Sequence, residues 1–224
     1  TRYLDETILN YAERLLATFP EEITRVMFTC TGSEAVDLAL RVARHYTGGT
    51  GIIITENAYH GVTAAAVEIS PSLGPNVPLG QHVFTVPAPD PANANGRDVG
   101  EVLAEEVEKA IALMLRHGIK PAAFIADSIF STDGIFPDPA GFLQKTVDVM
   151  HAHGALYIAD EVQPGFGRTG THMWGFQRHG IVPDIAVMGK PMGNGIPIAA
   201  AVMKAEVQDR FGRDIRYFNT FGAN

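Results

Sequence analysis

Three side chains that could do chemistry follow short apolar runs in this 224-residue chain. Asp127 and Asp160 each end such a run, and Lys190 comes shortly after a third run, in the glycine-rich turn 189–195. Nearly unbroken apolar runs between helical patterns are typical of parallel strands buried on both faces, and such sheets bind ligands beyond the carboxyl ends of their strands. We therefore expect one amine and two carboxylates to converge at a single site.

The lysine and the carboxylates could take part in Schiff-base chemistry. One interpretation of Lys190 is an ordinary solvated loop residue, which is the usual environment of lysine. The other is a nucleophile, because a lysine that is desolvated or near another cation can form a Schiff base with an aldehyde. A buried carboxylate such as Asp160 needs a cationic partner, which a pyridinium N–H could supply, and Tyr59 offers an aromatic face for such a ring.

An anion site is indicated at Gly32 and Ser33, where a predicted strand turns into a predicted helix. Backbone N–H groups and a hydroxyl at a helix N-terminus suit a phosphate, although Ser33 could instead only cap the helix 34–46. Neither a Gly-Lys-Ser/Thr phosphate loop nor a three-glycine dinucleotide fingerprint is present in the sequence, so neither ATP nor NAD is favoured. Phosphate, ring, ring nitrogen and aldehyde each have a counterpart, and together they make up pyridoxal phosphate.

Composition limits the possible function classes. With 46% hydrophobic and 19% charged residues the chain resembles a soluble domain, and its net charge of −8 argues against a nucleic-acid or anionic-membrane surface. The single cysteine excludes an internal disulfide framework and a cysteine-only metal cage, and we expect no metal. No apolar segment approaches the roughly 20 residues that span a bilayer, so a cytoplasmic location is the default expectation.

The hydrophobic pattern predicts one α/β domain with a mostly parallel central sheet and helices on both faces. Residues 70–98, rich in proline, asparagine and glycine, are predicted to be an irregular excursion. Predicted helices cover 4–18, 34–46, 99–117 and 140–153, with another from about residue 62; predicted strands cover 26–30, 52–54, 122–127, 155–160, a run leading to Lys190, and 198–203.

Several short motifs are weak alone but specific in their order and spacing. They are GSEA at 32–35, YHG at 59–61, DEVQ at 160–163 with GFGRTG at 165–170, PDI at 183–185, GK at 189–190 and NTFG at 219–222. Through them the chain resembles, over nearly its whole length, the large domain of the class III (fold type I) pyridoxal-phosphate aminotransferases. The resemblance implies that 1–224 is a fragment without the family's N-terminal segment and C-terminal small domain.

For the cofactor, the resemblance implies a role for each motif residue. Lys190 would form the Schiff base and move protons, and Asp160 would pair with the ring N1–H so that the ring acts as an electron sink. The other contacts would be phosphate binding by Gly32 and Ser33, stacking on the two ring faces by Tyr59 and Val162, and an approach to the ring hydroxyl by Gln163.

Other positions carry further implications. Thr220 would reach the phosphate of the neighbouring subunit's cofactor, which implies a homodimer. His60 would be either a polar residue behind the cofactor or a packed or capping histidine. Asp127 stands where the family usually has glutamate, so its shorter carboxylate changes the reach toward the substrate side of the cofactor. Glu161 and Arg168 are expected to be structural partners in their loop.

The resemblance implies a transaminase that moves an amino group from an amine donor to a keto-acid acceptor. An alternative is a phospho-lyase that eliminates phosphate and ammonia from a phosphorylated amino-alcohol or hydroxy-amino acid, because the turn 189–195 and YFNT at 217–220 resemble the branch that contains such enzymes. A third hypothesis, from a different class, is a non-catalytic cofactor-binding or oligomerisation module.

Overall fold

The computed structural model describes residues 5–222, which form seven strands and six α-helices. The strands are β1 Ile23–Thr29, β2 Gly51–Thr55, β3 Val83–Val86, β4 Pro121–Asp127, β5 Leu156–Asp160, β6 Ile185–Met188 and β7 Ala199–Lys204. The helices are α1 Glu6–Leu16, α2 Gly32–Thr47, α3 Ala64–Val67, α4 Val99–Arg116, α5 Gln144–Ala152 and α6 Ala205–Asp214. Short 3₁₀ helices cover Pro71–Leu73 and Gly175–His179.

All seven strands of the described region belong to one sheet, in the order β1-β7-β6-β5-β4-β2-β3. The pairs from β6 to β3 are parallel, whereas β7 pairs antiparallel with both β6 and β1. Strand β1 therefore runs in the same direction as β6, and β7 is the one reversed strand among residues 5–222. The predicted fold class, a mostly parallel α/β sheet, is confirmed.

Helices cover both faces of the sheet. Helix α2 packs on β4 to β7 together with α6, while α4 and α5 pack on the opposite face against β2 to β5. Strands β2, β5 and β6 are buried throughout, which is why their sequences are apolar without alternation. The core consequently lies in two layers, one on each side of the sheet.

The register of the central strands determines where the candidate site lies. Asp127 at the end of β4 is paired in register with Asp160 at the end of β5, and Asp160 is paired with Val187 of β6. Lys190 follows three residues after Val187. Since β1 runs in the same direction, its carboxyl end and the N-terminus of α2 lie at this same edge. The sheet therefore brings the amine, the carboxylates and the helix N-terminus to one edge.

Most predicted helices and strands are present with shifted ends, but one strand and one α-helix were not predicted. Segment 70–98 is not wholly irregular, because residues 83–86 form the edge strand β3 beside β2. Helix α6 was not predicted, because its only buried residues are Val207 and Phe211. The helix expected from residue 62 is the four-residue α3, and the start of the helix expected at residue 4 lies outside the described residues.

Candidate active site

A cavity of about 190 Å³ opens at the carboxyl ends of β4, β5 and β6. This volume is below the roughly 300–1,000 Å³ typical of pockets for drug-sized ligands, so it suits a single-ring ligand better than a dinucleotide. The cavity is lined by nine of the ten residues that the sequence predicted for the site: Gly32, Ser33, Tyr59, His60, Asp127, Asp160, Val162, Gln163 and Lys190.

Asp160 is held in the cavity wall by two hydrogen-bond donors. Its Oδ2 lies 2.7 Å from Nδ1 of His60, and its Oδ1 accepts the backbone N–H of Val162 at 3.0 Å. Asp160 and His60 are both only 4% exposed, and a buried carboxylate needs such partners. His60 is thus both packed and paired with Asp160 in the cavity wall, and its role behind a cofactor stays a prediction.

His60 is itself anchored through its backbone. Its N–H donates to the hydroxyl of Ser70 at 2.9 Å, and this hydroxyl donates to Ala66 O at 2.7 Å, with Gly61 O at 3.1 Å. The second ring nitrogen, Nε2, is buried and has no hydrogen-bond partner among residues 5–222. Within this region, then, the hydrogen bond to Asp160 is the only one that the His60 ring makes.

Lys190 reaches across the strand ends from the turn after β6. Its Nζ donates to Oε1 of Gln163 at 2.9 Å, so it contacts the loop that follows β5. Lys190 itself is exposed rather than desolvated, as are most residues of the turn 189–195 that carries it.

The N-terminus of α2 is capped by Thr31, and the alternative that Ser33 is the cap is wrong. Thr31 Oγ1 accepts the N–H of Glu34 at 3.1 Å, while Glu34 Oε2 accepts the N–H groups of Thr31 at 3.1 Å and Cys30 at 2.7 Å. This reciprocal capping leaves the N–H groups of Gly32 and Ser33 without a partner within the described chain. Free N–H groups at a helix N-terminus that faces a cavity form an anion site.

A tight contact joins this helix turn to the loop after β2. Ser33 Oγ accepts the N–H of Val62 at 3.1 Å, and the Thr63 hydroxyl donates to Ser33 O at 3.2 Å. Gly61 has a φ of 131°, and a Cβ there would lie 2.4 Å from Ser33 Oγ. Only glycine allows this approach, which brings Tyr59 to the cavity, where its side chain is 37% exposed.

Val162 forms a wall between the helix N-terminus and the turn after β6. A Cβ on Gly32 would lie 3.2 Å from Val162 Cγ2, and a Cβ on Gly189 would lie 3.2 Å from the Cα of Gly32. Both glycines therefore permit close packing around Val162. The apolar side chain is left facing the cavity.

Asp127 turns back onto its own loop. Its carboxylate accepts the N–H groups of Ile129 at 2.9 Å and Ser131 at 3.0 Å, together with the Ser131 hydroxyl. Burial raises the pKa of Asp127, and the hydrogen bonds from Ser131 and Ile129 oppose this shift. The Asp127 carboxylate thus contacts the loop at the cavity wall. The expected effect of this shorter side chain on the substrate side of the cofactor stays a prediction.

Thr220 is the one predicted site residue that the structure does not bring to the cavity. It is exposed in the irregular segment after α6. Sequence analysis in turn missed Gly61, Ser131 and Thr132, which line the cavity. Ser131 and Thr132 could have been predicted from the sequence, because they follow the strand end at Asp127 by four and five residues.

Glu161 is a buried acid behind the site. It is fully buried, and its carboxylate accepts the Ser128 hydroxyl at 3.0 Å and the N–H groups of Gly175 at 2.7 Å and Phe176 at 2.9 Å. Burial raises its pKa to about 7, although these hydrogen bonds act in the opposite direction. The geometry agrees with the expected structural role, but Arg168 makes no contact with Glu161.

Comparison with known proteins identifies the family. The family Aminotransferase class-III matches residues 2–224. The chain belongs to the class-III aminotransferase family. A solved structure described as a phospholyase from Arthrobacter in complex with phosphoethanolamine superposes with a TM-score of 0.94 at 42% identity, over 100% of this chain and 54% of that one.

The curated relatives of this chain include proteins named as aminotransferases and a protein named as a phospho-lyase. An alanine–glyoxylate aminotransferase 2-like protein of Drosophila melanogaster is 37% identical over 100% of the chain and 47% of its own length. Ethanolamine-phosphate phospho-lyase homolog 1 of Caenorhabditis elegans is 34% identical over 100% of the chain and 51% of its own length. The chain thus spans about half the length of the relatives that it matches.

Membership of the family bears out the expected cofactor, and a solved amine transaminase described as bound to pyridoxal phosphate is 28% identical over 100% of the chain. None of the described helices is long and apolar enough to cross a membrane. The predicted homodimer and the cytoplasmic location stay predictions.

Proposed function

We propose that this chain is the cofactor-binding part of a pyridoxal-phosphate-dependent transaminase that moves an amino group from an amine or amino acid to a keto acid. The observation that carries the proposal is the arrangement of one cavity. A buried, oriented carboxylate, Asp160, and an amine, Lys190, share it with the free N–H groups at the start of α2.

The cavity residues fit each part of the cofactor. The N–H groups of Gly32 and Ser33 suit its phosphate, because Thr31 rather than Ser33 caps the helix. Val162 offers an apolar wall for one ring face, and Tyr59 offers an aromatic side chain for the other. When bound, pyridoxal phosphate supplies a reactive carbonyl for amines and an electron-withdrawing ring.

Two residues would hold and move protons. Asp160, oriented by His60, would accept the ring N–H and keep the positive charge on the ring nitrogen. Lys190 would supply the amine that binds the cofactor and would then carry a proton on Nζ, with Gln163 holding it near the cavity between steps. Val162 would exclude water from one side of the ring.

A phospho-lyase is the second candidate function. It is favoured by the 42% identity to the Arthrobacter phospholyase, whose structure contains phosphoethanolamine. Both candidate reactions use the same lysine and the same buried carboxylate. We therefore expect the difference between them to depend on how the substrate is held, including by parts of the full-length protein outside this chain, which spans about half the relatives' length.

The assignment of Lys190 is tested in the full-length protein that contains this chain. Borohydride reduction followed by peptide mapping should label Lys190, and Lys190→Ala should abolish covalent cofactor attachment without unfolding the protein. Lys145→Ala is the matched control, because Lys145 pairs with Glu101 at the surface, 2.7 Å away. Label on another lysine would refute the assignment.

Product analysis separates the candidate functions. A transaminase given alanine and glyoxylate should form pyruvate and glycine, whereas a lyase given phosphoethanolamine should release inorganic phosphate. A protein that binds the cofactor but turns over neither pair, nor any member of an amine-donor panel, would support the non-catalytic module and refute the proposal.

The homodimer is part of the proposal. Thr220 is exposed and away from the cavity of its own chain, which suits a contact to the cofactor phosphate of a neighbouring subunit. Thr220→Val should then weaken cofactor binding by about ten- to a hundredfold, because a hydrogen bond to a charged group is worth roughly 1.5–3 kcal/mol. An unchanged cofactor affinity, or a full-length protein that sediments as a monomer with full cofactor occupancy, would contradict the shared site.

A further inference from the structure

A second cavity, of about 270 Å³, lies beside the loops that follow β4 and β5. The polar side chains that line it are Asp138, Arg168, Thr169 and Arg178, and its apolar lining includes Ile135. None of these residues lines the candidate active site. The two cavities are therefore separate, although the same two loops contribute to both.

The charge of the second cavity is positive and incompletely compensated. Arg168 is exposed and has no ion pair or hydrogen bond in the described chain. Arg178, with a side chain only 18% exposed, donates from Nη2 to Asp138 Oδ1 at 2.6 Å, but the Asp138 side chain is 74% exposed. An ion pair to so exposed a carboxylate is weak and easily exchanged. Two guanidinium groups and one carboxylate leave one net positive charge, in a chain whose net charge is −8.

The remaining lining favours an organic anion over a bare ion. Ile135 is 64% exposed, an unusual position for a branched apolar side chain, and its φ of 65° lies in the left-handed region that such residues avoid. An apolar group bound beside the arginines would cover this side chain. Guanidinium groups are suited to carboxylates and phosphates because they present paired N–H donors in one plane.

We propose that this cavity binds a small organic monoanion, a carboxylate or phosphate diester with a short apolar group, through Arg168 and Arg178. The anion would take the free guanidinium of Arg168 as its main partner and would lie on Ile135. Asp138 limits the site to a single negative charge, because it offsets one of the two guanidinium groups. The inference does not depend on the proposed catalytic function.

The test uses the full-length holoenzyme with butyrate and dimethyl phosphate as probes, both of which carry one negative charge at neutral pH, titrated by calorimetry at low ionic strength. We expect saturable binding of one probe or both, weakened about tenfold or more in Arg168→Gln. Asp138→Asn should tighten the binding, because the net charge of the cavity rises by one. Butyrate binding alone identifies a carboxylate site, and dimethyl phosphate binding alone identifies a phosphate-diester site.

Arg116→Gln is the matched control, since Arg116 is an exposed arginine at the end of α4, with no ion pair in the described region. It should leave probe binding unchanged. Cofactor occupancy and thermal stability measured in every variant will show whether the fold is intact. The inference is overturned if neither probe binds, or if Arg168→Gln and Arg116→Gln bind the probes equally well.

Discussion

Glu161→Gln should alter how the stability of the protein depends on pH. Glu161 is fully buried, and burial raises its pKa from an ordinary 4.5 to about 7. In the unfolded chain the carboxyl group has its ordinary pKa, so the folded state binds more protons between these two values. The protonated group therefore favours folding below about pH 4.5, and this contribution is lost as the pH rises through about 7.

The size of this effect follows from the two pKa values. At about 1.4 kcal/mol per pKa unit, a rise from 4.5 to about 7 corresponds to about 3 kcal/mol over the whole range. Between about pH 5.5 and about pH 8 the wild-type protein should lose about 2 kcal/mol from this group. Glutamine cannot titrate, but only its amide oxygen can accept hydrogen bonds, whereas both oxygens of Glu161 accept them. It leaves the N–H of either Gly175 or Phe176 unpaired, at a cost of about 1–3 kcal/mol at every pH.

The measurement is urea unfolding of wild type and Glu161→Gln at both pH values. The variant should be clearly less stable near pH 5.5, and the difference should shrink by about 2 kcal/mol near pH 8. Ser128→Ala is the control, because it removes a hydrogen bond that lowers the pKa of Glu161 and should move the transition to higher pH. A stability difference that does not change with pH would refute the reasoning.

Two further predictions concern the cavity wall. Asp160→Asn in the full-length protein should lower turnover by orders of magnitude with little loss of cofactor, since the amide keeps the contact but not the charge; near-parental turnover at full cofactor occupancy would exclude the proposed role. Gly61→Ala should destabilise the chain more than Gly96→Ala in thermal unfolding. Both glycines have positive φ, but a Cβ at Gly61 meets Ser33 Oγ at 2.4 Å, whereas one at Gly96 meets nothing within 4 Å, so equal effects would exclude the contact as the cause.

Much of the site could be predicted because strand ends are visible in the sequence. Asp127, Asp160 and Lys190 each follow a run that is apolar without alternation, and parallel strands bring their carboxyl ends to one edge whatever their order. The order itself could not be predicted. The insertion of β7 between β1 and β6 is set by long-range pairing, and no local pattern in residues 198–203 reveals it.

Hydrogen-bond partners were the least predictable part of the site. Ser33 and Thr31 are both reasonable caps, and the choice depends on Glu34 reaching back to the N–H of Thr31. His60 and Asp160 are 100 residues apart, so only the folded chain shows that they are paired. Helix α6 was missed for a different reason, since a helix with two buried residues has too narrow an apolar face to stand out.

The position of Asp127 limits what the β4 loop can do in catalysis. Three donors from Ile129 and Ser131 already occupy its carboxylate. A carboxylate held in this way stabilises its loop, and burial raises the pKa of Asp127 while the hydrogen bonds from Ser131 and Ile129 oppose that shift. In the proposed function proton transfer would fall to Lys190, whereas Asp127 holds Ser131 at the cavity wall through two hydrogen bonds.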